Sequence, residues 1–237
     1  MAWFQEWFGE EYLELYSYRD ATEARRQVEF VQSNFGKLRG PLLDLACGTG
    51  RHVRELCAAG YHAIGCDLSF TLLRTGICEH GPMPLIRADM RALPFCSASF
   101  AGLVNFFTSF GYFSDEVENL EVVYEMSRVL LKNGVFLFDY LNVAHELQKL
   151  TERETRQTPI GRAVIERWFD ASDRSFNKRI TIGQRRYLER VRGYDLGEIT
   201  AMFGACDLSI QDVFGDFDGS IYRSSSPRLI LVGRKKQ

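Results

Sequence analysis

Short apolar runs alternate with amphipathic stretches along the first 141 residues. Residues 21–35 have the spacing of a helix, with Val28, Phe30 and Val31 among the apolar positions and Gly36 after its end. Residues 42–46 read as a short buried strand, 51–59 as a helix stopped by Gly60, and 63–66 as a second strand. A helix is predicted over 69–78 with Ser69 as its N-cap, then strands over 85–88 and 101–107. Leu120, Val123, Met126, Val129 and Leu130 recur at the helical period within 116–131, and Lys132-Asn133-Gly134 closes that segment. The strand over 135–141 is apolar on both faces except at Asp139. Alternating helices and continuously apolar strands predict an α/β fold, with a mostly parallel sheet and helices on both faces.

Two stretches lie outside that rhythm. In the leader, Phe4, Phe8, Tyr12 and Tyr16 recur every four residues, which predicts an aromatic face on one helix. Glu6, Glu10, Glu11 and Glu14 share that segment and would repel anionic lipid, so the face is expected to pack on the rest of the chain. After residue 150 the sequence turns basic. Residues 151–192 hold eleven Lys and Arg against six acids, a net +5, and 163–169 and 179–182 read as antiparallel strands around an Asp173-Arg174-Ser175 turn. A helix over 196–203 and strands over 208–214 and 229–232 complete the pattern.

The 237 residues are 46% hydrophobic and 25% charged, ordinary values for a globular chain, and the net charge of −2 gives no overall attraction to nucleic acid. The N-terminus lacks a basic-then-apolar signal and no apolar run is long enough to span a membrane, so a cytoplasmic protein is expected. Six widely spaced cysteines without a C-x-x-C pair are expected to be reduced and structural. His52, His62, His80 and His145 lack metal-ligand spacing, and no metal site is expected.

The most informative segment is Leu42-Leu43-Asp44-Leu45-Ala46-Cys47-Gly48-Thr49-Gly50-Arg51-His52, a buried strand entering a glycine turn and then a helix. Glycines permit close backbone approach, and the helix N-terminus favours an anionic group. Val53 stands where a dinucleotide fingerprint needs glycine or alanine, and Arg51-His52 is not the Gly-Lys-Ser/Thr of a P-loop. Asp67 ends the second strand 19 residues after Gly48, where an acid accepts ribose hydroxyls. Asp89-Met90 follows the third strand and Asn105 ends the fourth.

This ordered set resembles the motifs of class I S-adenosylmethionine (SAM) dependent methyltransferases of small-molecule type, in the UbiE/glycine-sarcosine-methyltransferase-like group. The resemblance runs from about residue 40 to 141, with Ala46 where the family more commonly has glycine. It implies a Rossmann-like seven-stranded sheet whose last strand is antiparallel, here with an antiparallel β insertion. It also implies SAM as cofactor and S-adenosylhomocysteine as product, held by Tyr16, Asp44, Ala46, Gly48, Gly50, Asp67, Leu68, Asp89, Met90 and Asn105. In that scheme Asp67 takes the ribose, Asp89 the adenine amino group, Met90 covers the ring, and Asn105 lies beside the methionine moiety. Tyr12, Tyr16 and Tyr18 of the leader would close over the cofactor.

Methyl transfer from a sulfonium chiefly demands that the nucleophile be held in line and water be kept out. The segment after Asn105 lacks the paired prolines of amino-directed nucleic-acid methyltransferases, and Phe106, Phe107, Phe110, Tyr112 and Phe113 suggest an aromatic wall for a small acceptor. Tyr18, Tyr112 and His145 are the candidate catalytic side chains. The expected organisation is one domain, with a leader (1–36), a cofactor-binding core (37–150), the β insertion (151–192) and a final helix with strands (193–237). It is expected to methylate N or O of a small molecule, as a monomer or homodimer without nucleic-acid or membrane partners. RNA or protein methylation through the basic segment, and non-catalytic SAM or nucleotide binding, stay open at this point.

Overall fold

The computed structural model describes residues 2–16 and 21–237. Its main sheet is built around β1 (Leu42–Leu45), every residue of which is buried. β2 (Ala63–Asp67) and β3 (Leu85–Arg87) lie on one side, with β4 (Phe100–Asn105) and β5 (Leu130–Leu141) on the other, all parallel to β1. β11 (Arg228–Lys235) pairs antiparallel with β5, and β10 (Leu208–Phe214) antiparallel with β11. The seven-stranded order is therefore β10-β11-β5-β4-β1-β2-β3. The chain reverses direction of travel between β1 and β4, which opens a crevice above the strands' carboxyl ends.

Side-chain alternation explains why both faces are covered. Leu43, Leu45, Leu103, Phe136 and Phe138 enter one core with α6 (Glu116–Val129) and α8 (Leu196–Ala205). Leu42, Val104, Val135 and Leu137 enter the opposite core with α3 (Ala21–Phe35) and α4 (Arg51–Ala58). α5 (Phe70–His80) starts where predicted, with Ser69 Oγ accepting from Leu72 N at 3.1 Å. The same hydroxyl donates to the Phe8 carbonyl at 2.6 Å, tying the cap to the leader. Ser69→Ala should cost about 1 kcal/mol of stability, measured by urea denaturation.

A separate antiparallel sheet holds β6 (Arg153–Thr158), β7 (Gly161–Asp170), β8 (Ser175–Ile182) and β9 (Arg185–Arg192) in sequential order. The leader is not one helix but two, α1 (Trp3–Trp7) and α2 (Glu10–Leu15), separated by an extended Gly9. Glycine is a poor helix former, so the helical run breaks at Gly9, which an aromatic repeat alone does not register. Trp7 and Leu15 pack with Ala163, Ile165, Ile180 and Ile182, so the aromatic leader lies on the second sheet.

Three further expectations are adjusted. α6 ends at Val129 and β5 begins at Leu130, with Asn133 at φ +62° making an irregularity between Leu130 and Val135. Cys57, Cys78 and Cys96 are exposed, while Cys47 and Cys66 are buried, so only part of the set behaves as core. The basic segment carries many acidic partners: Arg179 meets Glu166, Arg190 meets Asp173, and Arg192 meets Glu116 and Glu198. Among the described residues, no helix is long and apolar enough to cross a membrane.

Candidate active site

A cleft of about 1250 Å³ opens above β1, β2, β3 and β4. Its floor is the loop after β1. Ala46, Gly48 and Gly50 all take left-handed backbone, at φ 60°, 58° and 77°. For Ala46 that conformation carries a steric cost, of the kind that clusters at ligand sites. Gly50 also serves as the N-cap of α4, directing that helix's N-terminal amides toward the loop.

The approach of α5 to this loop is unusually tight. A Cβ on Gly76 would stand 1.9 Å from the Thr49 carbonyl oxygen. Gly76→Ala must therefore displace either α5 or the glycine loop, and a loss of cofactor affinity is expected even where the fold survives. Calorimetric titration with S-adenosylhomocysteine checks this, since unchanged affinity would show that the loop tolerates the displacement.

Asp67 is placed by two backbone donors: Gly48 N–H to Oδ2 and Ser69 N–H to Oδ1, each at 2.8 Å. Burial pushes its carboxyl above the ordinary range, against the pull of those hydrogen bonds. Asp44 is raised further, by burial first and then by the charge of Asp67, with Arg51 opposing. Among the described residues its buried Oδ2 has no hydrogen-bond partner, and the residue lines the cleft. Two adjacent buried acids and one orphaned oxygen suit a ligand that brings donors and positive charge.

Asp89 also lines the cleft, but Arg91 already occupies much of it. Oδ1 accepts from Arg91 N and Nε at 2.9 and 3.1 Å, and Oδ2 accepts from Nη2 at 2.6 Å. Burial pushes this carboxyl up, yet the arginine holds it below the usual range. An adenine amino group would share Asp89 with that guanidinium, a competition invisible in the motif.

Tyr16, Ala46, Gly48, Leu68 and Met90 line the cleft with Asp44, Asp67 and Asp89. Gly50 and Asn105 do not. Asn105 is buried at the end of β4, where its Nδ2 donates to the Leu45 carbonyl at 2.8 Å, so it ties two strand ends together. Tyr112 reaches the cleft within a cluster of leader aromatics, its ring 5.0 Å from Trp3 and 5.8 Å from Phe8. His145 is not brought there: it lies on α7 (Val143–Lys149) with Nδ1 3.1 Å from the Ser225 carbonyl. Tyr18 lies outside the described residues.

Other cleft residues carry weaker sequence signals. After β4, Phe107 and Thr108 are both left-handed, at φ 60° and 58°. Asp139 fixes them: its Oδ2 accepts from Phe107 N at 2.7 Å and its carbonyl from Thr108 N at 3.0 Å. Arg228 closes the arrangement, donating from Nε to Asp139 Oδ1 at 2.7 Å and from Nη2 to Thr108 Oγ1 at 2.8 Å. Asp139 stood out as the acid in an apolar strand, but its partner lies 89 residues further on. The second sheet adds Lys178 and Glu189, joined at 2.8 Å, with Glu189 also accepting from Trp7 Nε1 at 2.5 Å and the Tyr16 hydroxyl at 3.2 Å. Leader, insertion and glycine loop thus border one cavity.

A family model described as a methyltransferase domain matches residues 42–134. Over 95 residues the chain is 35% identical to a demethylmenaquinone methyltransferase from Corynebacterium kroppenstedtii, covering 39% of this chain and 38% of that protein. The chain spans about two fifths of the length of the curated relatives it matches first. Among solved structures, a SAM-dependent methyltransferase from Clostridium acetobutylicum superposes with TM-score 0.78 at 19% identity, covering 95% of this chain and 96% of that one. The sugar N-methyltransferase KedS8 from Streptoalloteichus gives TM-score 0.70 at 20% identity, covering 97% and 94%. Residues 42–134, which hold the glycine loop and the acids that follow it, thus match a methyltransferase domain, and the chain shares the fold of solved SAM-dependent methyltransferases.

Proposed function

We propose that this protein transfers a methyl group from SAM to nitrogen or oxygen of a small-molecule acceptor by in-line displacement, and that the whole chain forms one domain for that purpose. The observation that carries the reading is the single cavity shared by the glycine loop, the aromatic leader and the second sheet. A cleft walled by aromatic side chains suits a small acceptor, whereas a polymer needs a longer track across the surface. The sugar N-methyltransferase with the same fold supports this choice. The ion pairing of the 151–192 segment weighs against a continuous basic surface for RNA.

In this reading Asp67 receives the ribose hydroxyls, Met90 covers the adenine, and Asp44 with the loop amides faces the methionine portion. SAM supplies an activated methyl group on a sulfonium. The protein's share is positional. Tyr112 presents an aromatic face where a cation is favourable, while Tyr16 holds Lys178 and Glu189 at the cavity wall. The loop held by Asp139 and Arg228 fixes the wall beside the acceptor, and the leader keeps water out. No general base is assigned.

Incubation with methyl-labelled SAM and separated cell fractions tests the reading. Label is expected in the low-molecular-weight fraction. Label confined to RNA or protein would overturn the small-molecule assignment, and no transfer to any fraction would favour a binding protein.

A further inference from the structure

The cavity wall supplied by the second sheet has a charged row between two apolar ones. Pairing register sets Arg167 opposite Lys178 and Lys178 opposite Glu189. On the same face, two residues along each strand, Ile165, Ile180 and Tyr187 join the cluster that receives the leader. In the other direction lie Phe169, Phe176 and Val191, of which Phe176 and Val191 pack on the main core. Arg167, Lys178 and Glu189 line the cavity, with side chains 25%, 17% and 18% exposed.

Two members of the row are committed within the protein. Lys178 is joined to Glu189, and Glu189 is further held by Trp7 and Tyr16. Arg167 differs. Among the described residues its guanidinium makes one hydrogen bond, from Nη2 to Glu154 Oε1 at 2.9 Å, although the group has five N–H donors. Glu154 is shared with Arg156 at 3.2 Å and is held below the usual carboxylate range, chiefly by Arg167.

We propose that Arg167 recognises the methyl acceptor, and that the acceptor carries an oxyanion, either a carboxylate or a phosphate ester. The proposal rests on the methyltransferase reading of the cavity and narrows its substrate class. A planar guanidinium with unspent donors matches an oxyanion's paired oxygens, which a neutral hydroxyl does not. The apolar rows on either side thin out competing water, which strengthens a charged hydrogen bond made there. Lys178, directly across the strand pair, adds positive charge, while Glu189 is held by its own partners. The oxyanion is a handle rather than the nucleophile: gripping it at the insertion wall orients the rest of the acceptor.

The test uses the full chain saturated with S-adenosylhomocysteine, titrated with phenyl phosphate, benzoate, benzyl alcohol and benzylamine. Phenyl phosphate or benzoate is expected to bind at least about tenfold more tightly than the alcohol or the amine. The tighter of the two identifies the oxyanion source. Arg167→Met should abolish that preference with S-adenosylhomocysteine affinity unchanged, and Arg167→Lys should retain part of it. Arg167→Gln replaces the methionine variant if that one fails to fold. Equal affinity for all four probes, including no detectable binding of any, overturns the proposal, as does a preference that survives Arg167→Met. Failure to bind S-adenosylhomocysteine at the outset would instead count against the methyltransferase reading.

Discussion

Asp67→Ala should weaken S-adenosylhomocysteine binding by at least about tenfold, since a hydrogen bond to a charged group contributes roughly 1.5–3 kcal/mol. The loss has two sources. The carboxylate is the expected ribose acceptor, and it also anchors the loop through Gly48 N–H and Ser69 N–H. Asp67→Asn separates charge from shape. An amide has one oxygen, so its NH₂ must confront one of the two backbone donors, and affinity should fall there as well. Burial already disfavours the native charge at this site, so the alanine variant should remain folded. Titration calorimetry with parallel urea denaturation distinguishes lost binding from lost structure. Unchanged affinity in a folded variant would move the ribose partner elsewhere.

Arg228→Met should be the most destabilising single change near the cavity. Asp139 is 1% exposed, and removing one partner of such a pair costs about 3–5 kcal/mol when both are buried. Arg228 is 24% exposed, so about 3 kcal/mol is the expected scale. The pH dependence has a definite sign. Burial raises the Asp139 carboxyl and Arg228 opposes that rise, so the variant's folded-state pKa moves higher still. A raised carboxyl binds its proton more readily when folded than unfolded. This carboxyl's contribution to stability is therefore greatest at acid pH and is lost as pH climbs through the folded pKa. The gap between wild type and Arg228→Met in urea denaturation should accordingly widen as pH rises above the ordinary carboxylate range. A gap independent of pH would show that Asp139 does not carry the penalty. Loss of the clamp also frees Phe107 and Thr108 from left-handed backbone, so the acceptor-facing loop should relax.

Most of the acids and loop residues that border the cleft were legible in the sequence because their signals are local. The glycine loop, Asp67 and Asp89-Met90 each follow a short apolar strand, and parallel strands bring their carboxyl ends to one edge. The alternation predicted the mostly parallel sheet, the resemblance to class I methyltransferases its seven strands, and the turn-separated strands after residue 150 the antiparallel insertion. The acceptor side was far less legible. Arg228 meets Asp139 across 89 residues, and Glu189 meets Trp7 across 182, pairings that no periodicity encodes. His145 looked suitable because it follows β5, yet it turns to the Ser225 carbonyl instead. The aromatic repeat in the leader correctly implied packing, but its partner, the second sheet, became visible only in three dimensions. The excess of basic residues between 151 and 192 did not disclose its internal pairing, in which acids from α6 and α8 meet Arg192 and acids within the insertion meet Arg179 and Arg190.

Titration of the full chain with S-adenosylhomocysteine, with NADH as the comparison, tests the central claim most directly. Binding at one site per chain with a dissociation constant of roughly micromolar order, about −8 kcal/mol, is expected, with none for NADH. No detectable S-adenosylhomocysteine binding at millimolar ligand would contradict the account.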